Sequence, residues 1–203
     1  MTVCLLLAAG SSSRMGQPKM LLPYKESNLL QHIIDEVKAT KSTTLLIVTG
    51  CYHTLIEQSL IQQQIPIVKN GQWQAGMGSS IQTGMAYLLQ HYPAATAVLI
   101  LVCDQPFISA TLLQQMMAAK EYTGKGIVAS TYTGTIGTPV LFDKKYFNDL
   151  ALLQGATGAK KLVMQFKTDV ATVSFPAGAM DIDTPEDYEK LLEELGDLGE
   201  LKD

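Results

Sequence analysis

The sequence predicts an α/β protein of three layers, with a mostly parallel central sheet between two layers of helices. Apolar runs of strand length alternate with helical patterns along nearly all of the 203 residues. Strands that are separated by helices form βαβ units, and the strands of such units are parallel. The runs are also almost continuously apolar, as expected of parallel strands buried on both faces.

The first half of the chain contains four predicted strands. Residues 3–7 form an apolar run that ends in a glycine–serine loop. Ser27 can cap the helix at 29–38, where apolar residues recur at the spacing of one helix face. Residues 44–48 predict a second strand, followed by a helix at 54–61 and a short strand at 65–68. Gly76 opens a helix that runs to residue 89, and residues 97–102 form the most apolar strand.

The second half repeats the alternation. Ser109 begins a helix that ends near residue 120, and strands are predicted at 126–130 and 139–142. Helices at 144–150 and 158–166 come before a last strand at 170–175 and a last helix at 184–195. We therefore predict one domain over residues 1–195 and a short polar tail at 196–203.

Composition and charge exclude several classes of protein. The net charge is −4 and the hydrophobic content is 47%, so there is no basic surplus to suggest a nucleic-acid partner. No apolar stretch approaches the ~20 residues of a membrane span. The N-terminus lacks the basic region of a secretory signal, which predicts a cytoplasmic protein. The three cysteines are widely spaced and odd in number, which favours neither a disulfide framework nor a zinc site.

Residues 8–19 form the most informative loop. They leave a buried strand directly into Gly10 and three serines, and they add the cations Arg14 and Lys19; Arg14 is the only arginine in the chain. Successive backbone N–H groups in such a turn can bind phosphates, and fixed cations can stabilise the charge of a triphosphate. The Walker A pattern and the dinucleotide-binding glycine pattern are both absent. The alternative is an ordinary strand-to-helix turn with two surface cations.

Four polar segments follow predicted strands at their carboxyl ends, at residues 9–19, 70–80, 104–106 and 181–187. Ligands bind at this edge of open α/β sheets. Asp104 is suited to Mg²⁺, which takes one or two carboxylates and completes its shell with water and phosphate. The second carboxylate could come from Asp183 or, in reserve, Asp181. The same segment also carries helix-starting residues, since Thr184 can act as N-cap and Pro185 can take the first helical position.

The stretch L-A-A-G-S-S-S-R-M-G-Q-P-K resembles the signature of nucleotidyltransferases with a Rossmann-like domain, and it is closest to the molybdenum-cofactor enzymes. Ala9 and Pro18 resemble the cytidylyl-transferring branch more than the guanylyl-transferring one. The segments D-Q-P and D-I-D-T-P-E-D, N-G-Q-W-Q-A-G-M-G-S-S and G-T-P-V-L-F also resemble segments of this family. In the cytidylyl-transferring branch, the helix near Gly155 commonly begins G-D-x-G-A. This chain has Ala156 in place of the aspartate.

The resemblance implies transfer of CMP from CTP to the phosphate of molybdopterin, with Mg²⁺ as cofactor and release of pyrophosphate. It assigns catalytic roles to Arg14, Lys19 and Asp104, and metal binding to Asp104 and Asp183. Nucleotide binding is expected from Ala8, Ala9, Gly10, Ser11, Ser12, Arg14, Lys19, Gly78, Ser79 and Ser80. Acceptor binding is expected from Asn70, Trp73, Gly137 and Pro139, although Trp73 could instead anchor its loop on the core.

Several alternatives remain open at the level of sequence. The nucleotide could be GTP, or the acceptor could be a sugar phosphate or a similar alcohol phosphate. A protein of a different class, which delivers the cofactor to a molybdoenzyme or a maturation factor without catalysis, would bind the same ligands and release no pyrophosphate. Such a partner could also coexist with catalysis.

Overall fold

The computed structural model describes residues 1–156 and 158–200, and its centre is a seven-stranded sheet. The strand order across the sheet is β5-β4-β1-β6-β8-β7-β9. A separate two-stranded hairpin precedes the first helix. The strands are β1 (Thr2–Ala8), β2 (Pro23–Tyr24), β3 (Ser27–Asn28), β4 (Thr43–Thr49), β5 (Ile67–Lys69), β6 (Ala97–Val102), β7 (Ile127–Tyr132), β8 (Thr135–Asp143) and β9 (Val170–Ser174).

Strand β8 runs antiparallel to both of its neighbours, whereas all other neighbouring strands of the large sheet are parallel. Its register against β7 shifts between Ala129 and Ser130. Pro139 lies opposite this irregularity, and proline has no N–H to donate to a strand ladder. The Ser130 hydroxyl instead donates to the Pro139 carbonyl, at 2.9 Å. The prediction of a mostly parallel α/β sheet is confirmed.

Seven α-helices accompany the sheet in the described residues. Two layers follow from the core contacts, with α1, α2 and α4 on one face and α3, α5 and α6 on the other. The helices are α1 (Leu29–Ala39), α2 (His53–Ser59), α3 (Met77–His91), α4 (Ala110–Thr123), α5 (Phe147–Ala151), α6 (Lys160–Gln165) and α7 (Pro185–Glu200).

Strand β1 shows how the sequence builds this core. Val3, Leu5 and Leu7 face the cluster that contains α3, while the alternate residues Cys4 and Leu6 face the cluster that contains α1. Both sets are buried, because successive side chains of a strand point to opposite faces of the sheet. A strand in the middle of two helical layers therefore has no polar face.

Helix α7 packs outside these layers, against the segment that follows the first loop. Leu191 and Ile182 form a third apolar cluster with Met15, Leu22 and Tyr24. At the start of α7, the Thr184 hydroxyl accepts from the N–H of Asp187 at 3.2 Å, so the predicted cap is present. This packing brings the last polar segment of the chain next to the first.

Several predicted boundaries were wrong, among them the start of β8, which begins at Thr135 and not at residue 139. Ser27 lies in the hairpin, and Asn28 caps α1 in its place, since its side chain accepts from the N–H of Gln31 at 2.8 Å. Helix α7 continues to Glu200 beyond its predicted end at residue 195. The end of the predicted tail, residues 201–203, lies outside the described residues. Within the described part of the chain, no helix is both long enough and apolar enough to cross a membrane.

Candidate active site

The loop after β1 is held in shape by its own backbone and by Ser12. The Ser12 carbonyl accepts from the N–H groups of Met15 and Gly16, at 3.0 and 3.1 Å. The Ser12 hydroxyl accepts from the Lys19 N–H at 3.2 Å. From outside the loop, the Tyr52 hydroxyl donates to the Ser11 carbonyl at 2.9 Å. Ser12 thus folds the loop, while the residues before it face the pocket described below.

Lys19 lies between two carboxylates. Its ammonium is 2.8 Å from an oxygen of Asp104 and 2.8 Å from an oxygen of Asp183. The other Asp183 oxygen lies 2.7 Å from the Arg14 guanidinium. The Lys19 side chain is only 13% exposed, whereas that of Arg14 is 69% exposed. The structure therefore joins two cations and two acids that are far apart in sequence.

A backbone hydrogen bond positions the second acid. The Ile182 N–H donates to the Asp104 carbonyl at 2.9 Å, and the Ile182 side chain is completely buried. Asp181 and Asp183 flank this anchored residue, so both lie near Asp104. The convergence of these segments, expected from their positions after parallel strands, is present in the structure.

The charges in this cluster shift one another's pKa values. Hydrogen bonding to Lys19 lowers the pKa of Asp183, and the Arg14 charge adds to this effect. Burial disfavours the Lys19 ammonium, but the charge of Asp104 and the hydrogen bonds to both acids outweigh it and raise the pKa of Lys19. Burial and the neighbouring charges of Asp104 and Asp183 raise the pKa of Asp181 to about 6. Lys19 is therefore charged at neutral pH, and Asp181 binds a proton more readily than Asp183 does.

The donor set suits a magnesium ion that is shared with a phosphate. Asp104 and Asp183 offer carboxylate oxygens to a common cation, which is the arrangement that a hard divalent ion would use. Among the described residues, no group of three or more His, Cys, Asp or Glu side chains could hold a metal ion. The site therefore fits an ion held by one or two carboxylates and completed by substrate oxygens, and it does not form an all-protein cage.

A pocket of about 330 Å³ opens beside this cluster, within the usual range for small-molecule sites. It lies where β1 and β6 end and where α3 begins. Predicted site residues account for much of its lining: Ala8, Ala9, Gly10, Ser11, Lys19, Trp73, Ser80 and Asp104. A buried strand end, a glycine loop and a helix start therefore face one cavity.

In the second glycine-rich loop, at residues 70–80, polar side chains that the sequence predicts to bind ligands hydrogen-bond within the loop itself. Asn70 is 2% exposed and donates to the hydroxyls of Ser79 and Ser80, at 2.8 and 3.0 Å. The Ser79 hydroxyl lies within hydrogen-bond distance of the carbonyls of Gln72 and Gly76. The Gly78 N–H donates to the Gly155 carbonyl at 3.0 Å. Of the three predicted nucleotide-binding residues in this loop, Ser80 lines the pocket, while Gly78 and Ser79 hold the loop together.

Trp73 combines the two roles that its sequence position allows. It lines the pocket, and it also packs against Gly50, because a Cβ added there would lie 2.9 Å from the Trp73 Cγ. The side chain is therefore anchored on the protein and still borders the cavity.

A second cavity of about 200 Å³ lies beside the first, and Met77 lines both. Gly137, predicted for acceptor binding, lines this second cavity. Its lack of a side chain has a specific reason, because an added Cβ would collide with the Tyr132 hydroxyl. Pro139 does not line either cavity and instead takes part in the strand irregularity described above.

Several pocket residues were not predicted from sequence. Met77 and Gln74 line the first pocket. They lie in the second glycine-rich loop, which the sequence predicts to take part in the site, although it does not single out these two residues. Tyr132 and Lys160 line the second cavity. Lys160 of α6 approaches this cavity through its hydrogen bond to Thr135 of β8, a contact between distant segments that the sequence does not indicate.

Comparisons with known proteins identify the family. Residues 4–170 match the family described as the MobA-like NTP transferase domain. The chain belongs to this family. It is 27% identical to the purine catabolism protein PucB of Bacillus subtilis, over 90% of this chain and 92% of that protein. It is 23% identical to the molybdenum cofactor cytidylyltransferase of Escherichia coli, over 91% and 92% of the two chains.

A solved structure extends the likeness to the fold. The complex of Rv0371c with manganese from Mycobacterium tuberculosis superposes with a TM-score of 0.75 at 25% identity, over 95% of this chain and 98% of the other. The α/β nucleotidyltransferase fold expected from the resemblance is therefore confirmed, and the chain is a member of a nucleotidyltransferase family.

Proposed function

We propose that this protein transfers a nucleoside monophosphate, CMP from CTP, to the terminal phosphate of molybdopterin or its molybdenum-loaded form. The supporting observation is the cluster in which Lys19 contacts both Asp104 and Asp183 beside a pocket formed by the glycine–serine loop. Of the two relatives compared, the E. coli protein has a name that states both the nucleotide and the acceptor class. Ala9 and Pro18 favour the same branch.

In this reaction an oxygen of the acceptor phosphate attacks the α-phosphorus of the nucleotide. A new P–O bond forms, the bond from the α-phosphorus to its bridging oxygen breaks, and pyrophosphate leaves. The attacking phosphate is already ionised, so no protein base is required. This agrees with the pocket, because none of its described lining residues is a histidine.

The protein's contribution is then positioning and electrostatic stabilisation. The backbone of Ala9, Gly10 and Ser11 would contact the phosphates, and Ser80 would add a hydroxyl. Lys19 and Arg14 would exchange part of their contact with Asp183 for the phosphate oxygens, and so stabilise the charge on the leaving pyrophosphate. A magnesium ion bound by Asp104 and Asp183 would supply further charge neutralisation and orient the phosphates.

The test is pyrophosphate release with CTP, GTP, ATP and UTP, each with Mg²⁺ and molybdopterin or its molybdenum-loaded form. Acceptor-dependent release with CTP alone is the expected result. Release with GTP alone would move the protein to guanylyl transfer. An absence of release with every nucleotide, from protein that still binds CTP and Mg²⁺, would refute the proposal in favour of another acceptor or of cofactor delivery.

An Asp104→Asn variant provides the matched control. The substitution keeps the shape of the side chain and removes the charge that faces Lys19. It should abolish most of the release while leaving the fold intact, so release that stays at the wild-type level in this variant would come from a contaminating activity.

A further inference from the structure

We propose that Tyr52 is a positioning residue, which orients the backbone N–H groups of Gly10 and Ser12 toward the phosphates of the nucleotide. The inference rests on the proposed function, because it explains how the glycine–serine loop would bind a triphosphate. Tyr52 is not among the described residues that line the pocket. It belongs to residues 50–52, which connect β4 to α2 and lie against the glycine–serine loop.

The connection between β4 and α2 is held at both ends. At the strand end, the hydroxyl of the completely buried Thr49 lies 2.8 Å from Nδ1 of His53 and 3.3 Å from the Val68 carbonyl. At the helix end, the Tyr52 carbonyl accepts from the Ile56 N–H at 3.1 Å. The backbone of Tyr52 is therefore fixed at the start of α2, and its side chain reaches the loop from a rigid base.

Two carbonyls of the glycine–serine loop are hydrogen-bonded to this connection. The Ala9 carbonyl accepts from the Cys51 N–H at 3.3 Å, and the Ser11 carbonyl accepts from the Tyr52 hydroxyl at 2.9 Å. The two segments approach closely, because a Cβ added to Gly50 would collide with the Ala9 carbonyl. Carbonyls two residues apart in the loop therefore point to the same side, toward residues 50–52.

The direction of the next two N–H groups follows from the planarity of the peptide bond. In a trans peptide the C=O group and the N–H of the following residue point in opposite directions. The Gly10 N–H is therefore directed away from Cys51, and the Ser12 N–H away from Tyr52. Neither N–H is hydrogen-bonded within the part of the chain that the structure describes. Two unpaired donors with the same orientation in one turn can bind an anion.

The conformation of Ser12 explains why the loop needs a contact from outside. Its φ is +50°, in the left-handed region that residues with a side chain adopt infrequently. The carbonyl and hydroxyl of Ser12 bind N–H groups later in the loop, so they fix the chain after this residue. The peptide before it, between Ser11 and Ser12, is held by the Tyr52 hydroxyl. This one hydrogen bond therefore sets the direction of the Ser12 N–H.

The experiment compares Tyr52→Phe with Tyr188→Phe. The Tyr188 hydroxyl also donates to a backbone carbonyl, that of Pro23 at 2.6 Å, which lies outside the glycine–serine loop. Each substitution removes one hydroxyl and leaves the ring. Calorimetry measures the binding of CTP with Mg²⁺, and of inorganic tripolyphosphate, which has neither base nor sugar. Rates of pyrophosphate release give kcat and the KM for CTP and for molybdopterin.

Tyr52→Phe should weaken the binding of CTP and of tripolyphosphate by the same factor, about fivefold, as for the loss of one hydrogen bond. The KM for CTP should rise by about this factor while kcat stays within about threefold, because contacts made equally in ground and transition states affect binding alone. The KM for molybdopterin should stay within about twofold of the wild-type value. Tyr188→Phe should change none of these quantities.

Each other outcome is decisive. Unchanged binding of both ligands in Tyr52→Phe, with normal turnover, would overturn the inference and leave the proposed function intact. Weaker binding of CTP alone would also overturn it, because the hydroxyl would then act on the base or the sugar. If the wild type binds both ligands without turnover, and Tyr52→Phe binds both more weakly, the inference is supported and the function is refuted. No binding of either ligand by the wild type would overturn both.

Discussion

Replacing Lys19 with methionine should have opposite effects on catalysis and on metal binding. The substitution keeps most of the apolar stem and removes the ammonium that contacts Asp104 and Asp183 at 2.8 Å each. Asp183 would retain Arg14, whereas Asp104 would lose its cation. Under the proposed function, the Lys19 charge stabilises substrate phosphates, and it occupies the space between Asp104 and Asp183 when substrate is absent. The variant therefore tests these two roles separately.

The magnitudes follow from geometry. Two unit charges at 4 Å interact by about 4 kcal/mol at an effective dielectric of about 20, and the Lys19 side chain is only 13% exposed. A divalent ion bound to the same carboxylates would be repelled by this ammonium. Lys19 can move and solvent screens part of the repulsion, so we expect its removal to strengthen metal binding at least tenfold, about 1.4 kcal/mol.

The same substitution should lower kcat by about 10²–10³, the usual loss when one transition-state donor is removed. Calorimetric titration with Mn²⁺ in the absence of nucleotide measures the change in metal binding. Pyrophosphate release with CTP, Mg²⁺ and molybdopterin measures the change in kcat. Lys161→Met is the matched control, because it removes an exposed lysine away from the pocket.

Two results would refute this reasoning separately. Turnover within threefold of the wild type would exclude Lys19 from transition-state stabilisation. Mn²⁺ binding that is unchanged or weaker in Lys19→Met would show that the lysine does not compete with a metal for the two carboxylates.

Three further predictions concern the stability of the fold. Gly76→Ala should lower the free energy of unfolding by about 2–3 kcal/mol, because φ is +107° and the new Cβ would lie 2.6 Å from the Ala156 Cα. Urea titration tests this against Gly71→Ala, where the new Cβ would lie in open space. Equal losses in the two variants would contradict the prediction. Asn70→Ala should lower the free energy of unfolding by about 2–3 kcal/mol, because it leaves two buried hydroxyls without their donor. A loss below about 0.5 kcal/mol would mean that water replaces the amide. Burial opposes ionisation of Asp169, but its lysine and tyrosine partners lower its pKa from 3.8 to about 2, so its stabilisation is present above pH 3.8 and is lost as the pH falls through 2. Asp169→Asn should therefore cost about 2 kcal/mol at pH 7 and roughly half of that at pH 3, and a cost independent of pH would exclude the charge as its source.

The parts of the site that follow strand ends were predictable from sequence. Lys19, Asp104 and Asp183 each lie in or next to a polar segment after an apolar strand, and parallel strands bring such segments to one edge. Their ion pairs confirm that expectation. The buried strands were predicted from short, almost continuously apolar runs, which are typical of parallel strands covered on both faces.

The parts that depend on detailed contacts were not predictable. Ser79 lies in a phosphate-binding type of sequence, yet its hydroxyl is directed to two carbonyls of its own loop. Tyr132 of β7 and Lys160 of α6 line one cavity, a meeting of distant segments that no local pattern of the sequence indicates. Periodicity gives the presence of a strand, and the short connection after Tyr132 is typical of an antiparallel neighbour, but neither identifies the residues that meet across a cavity.

The two cavities are also lined by separate stretches of the chain. The described residues that line the first pocket all precede position 105, whereas those of the second cavity, apart from Met77, all follow position 131. A hairpin can therefore exchange its tip without altering the glycine–serine loop or the acids beside it. We expect chimeras that graft residues 132–138 between family members to retain the donor nucleotide and to change the accepted partner.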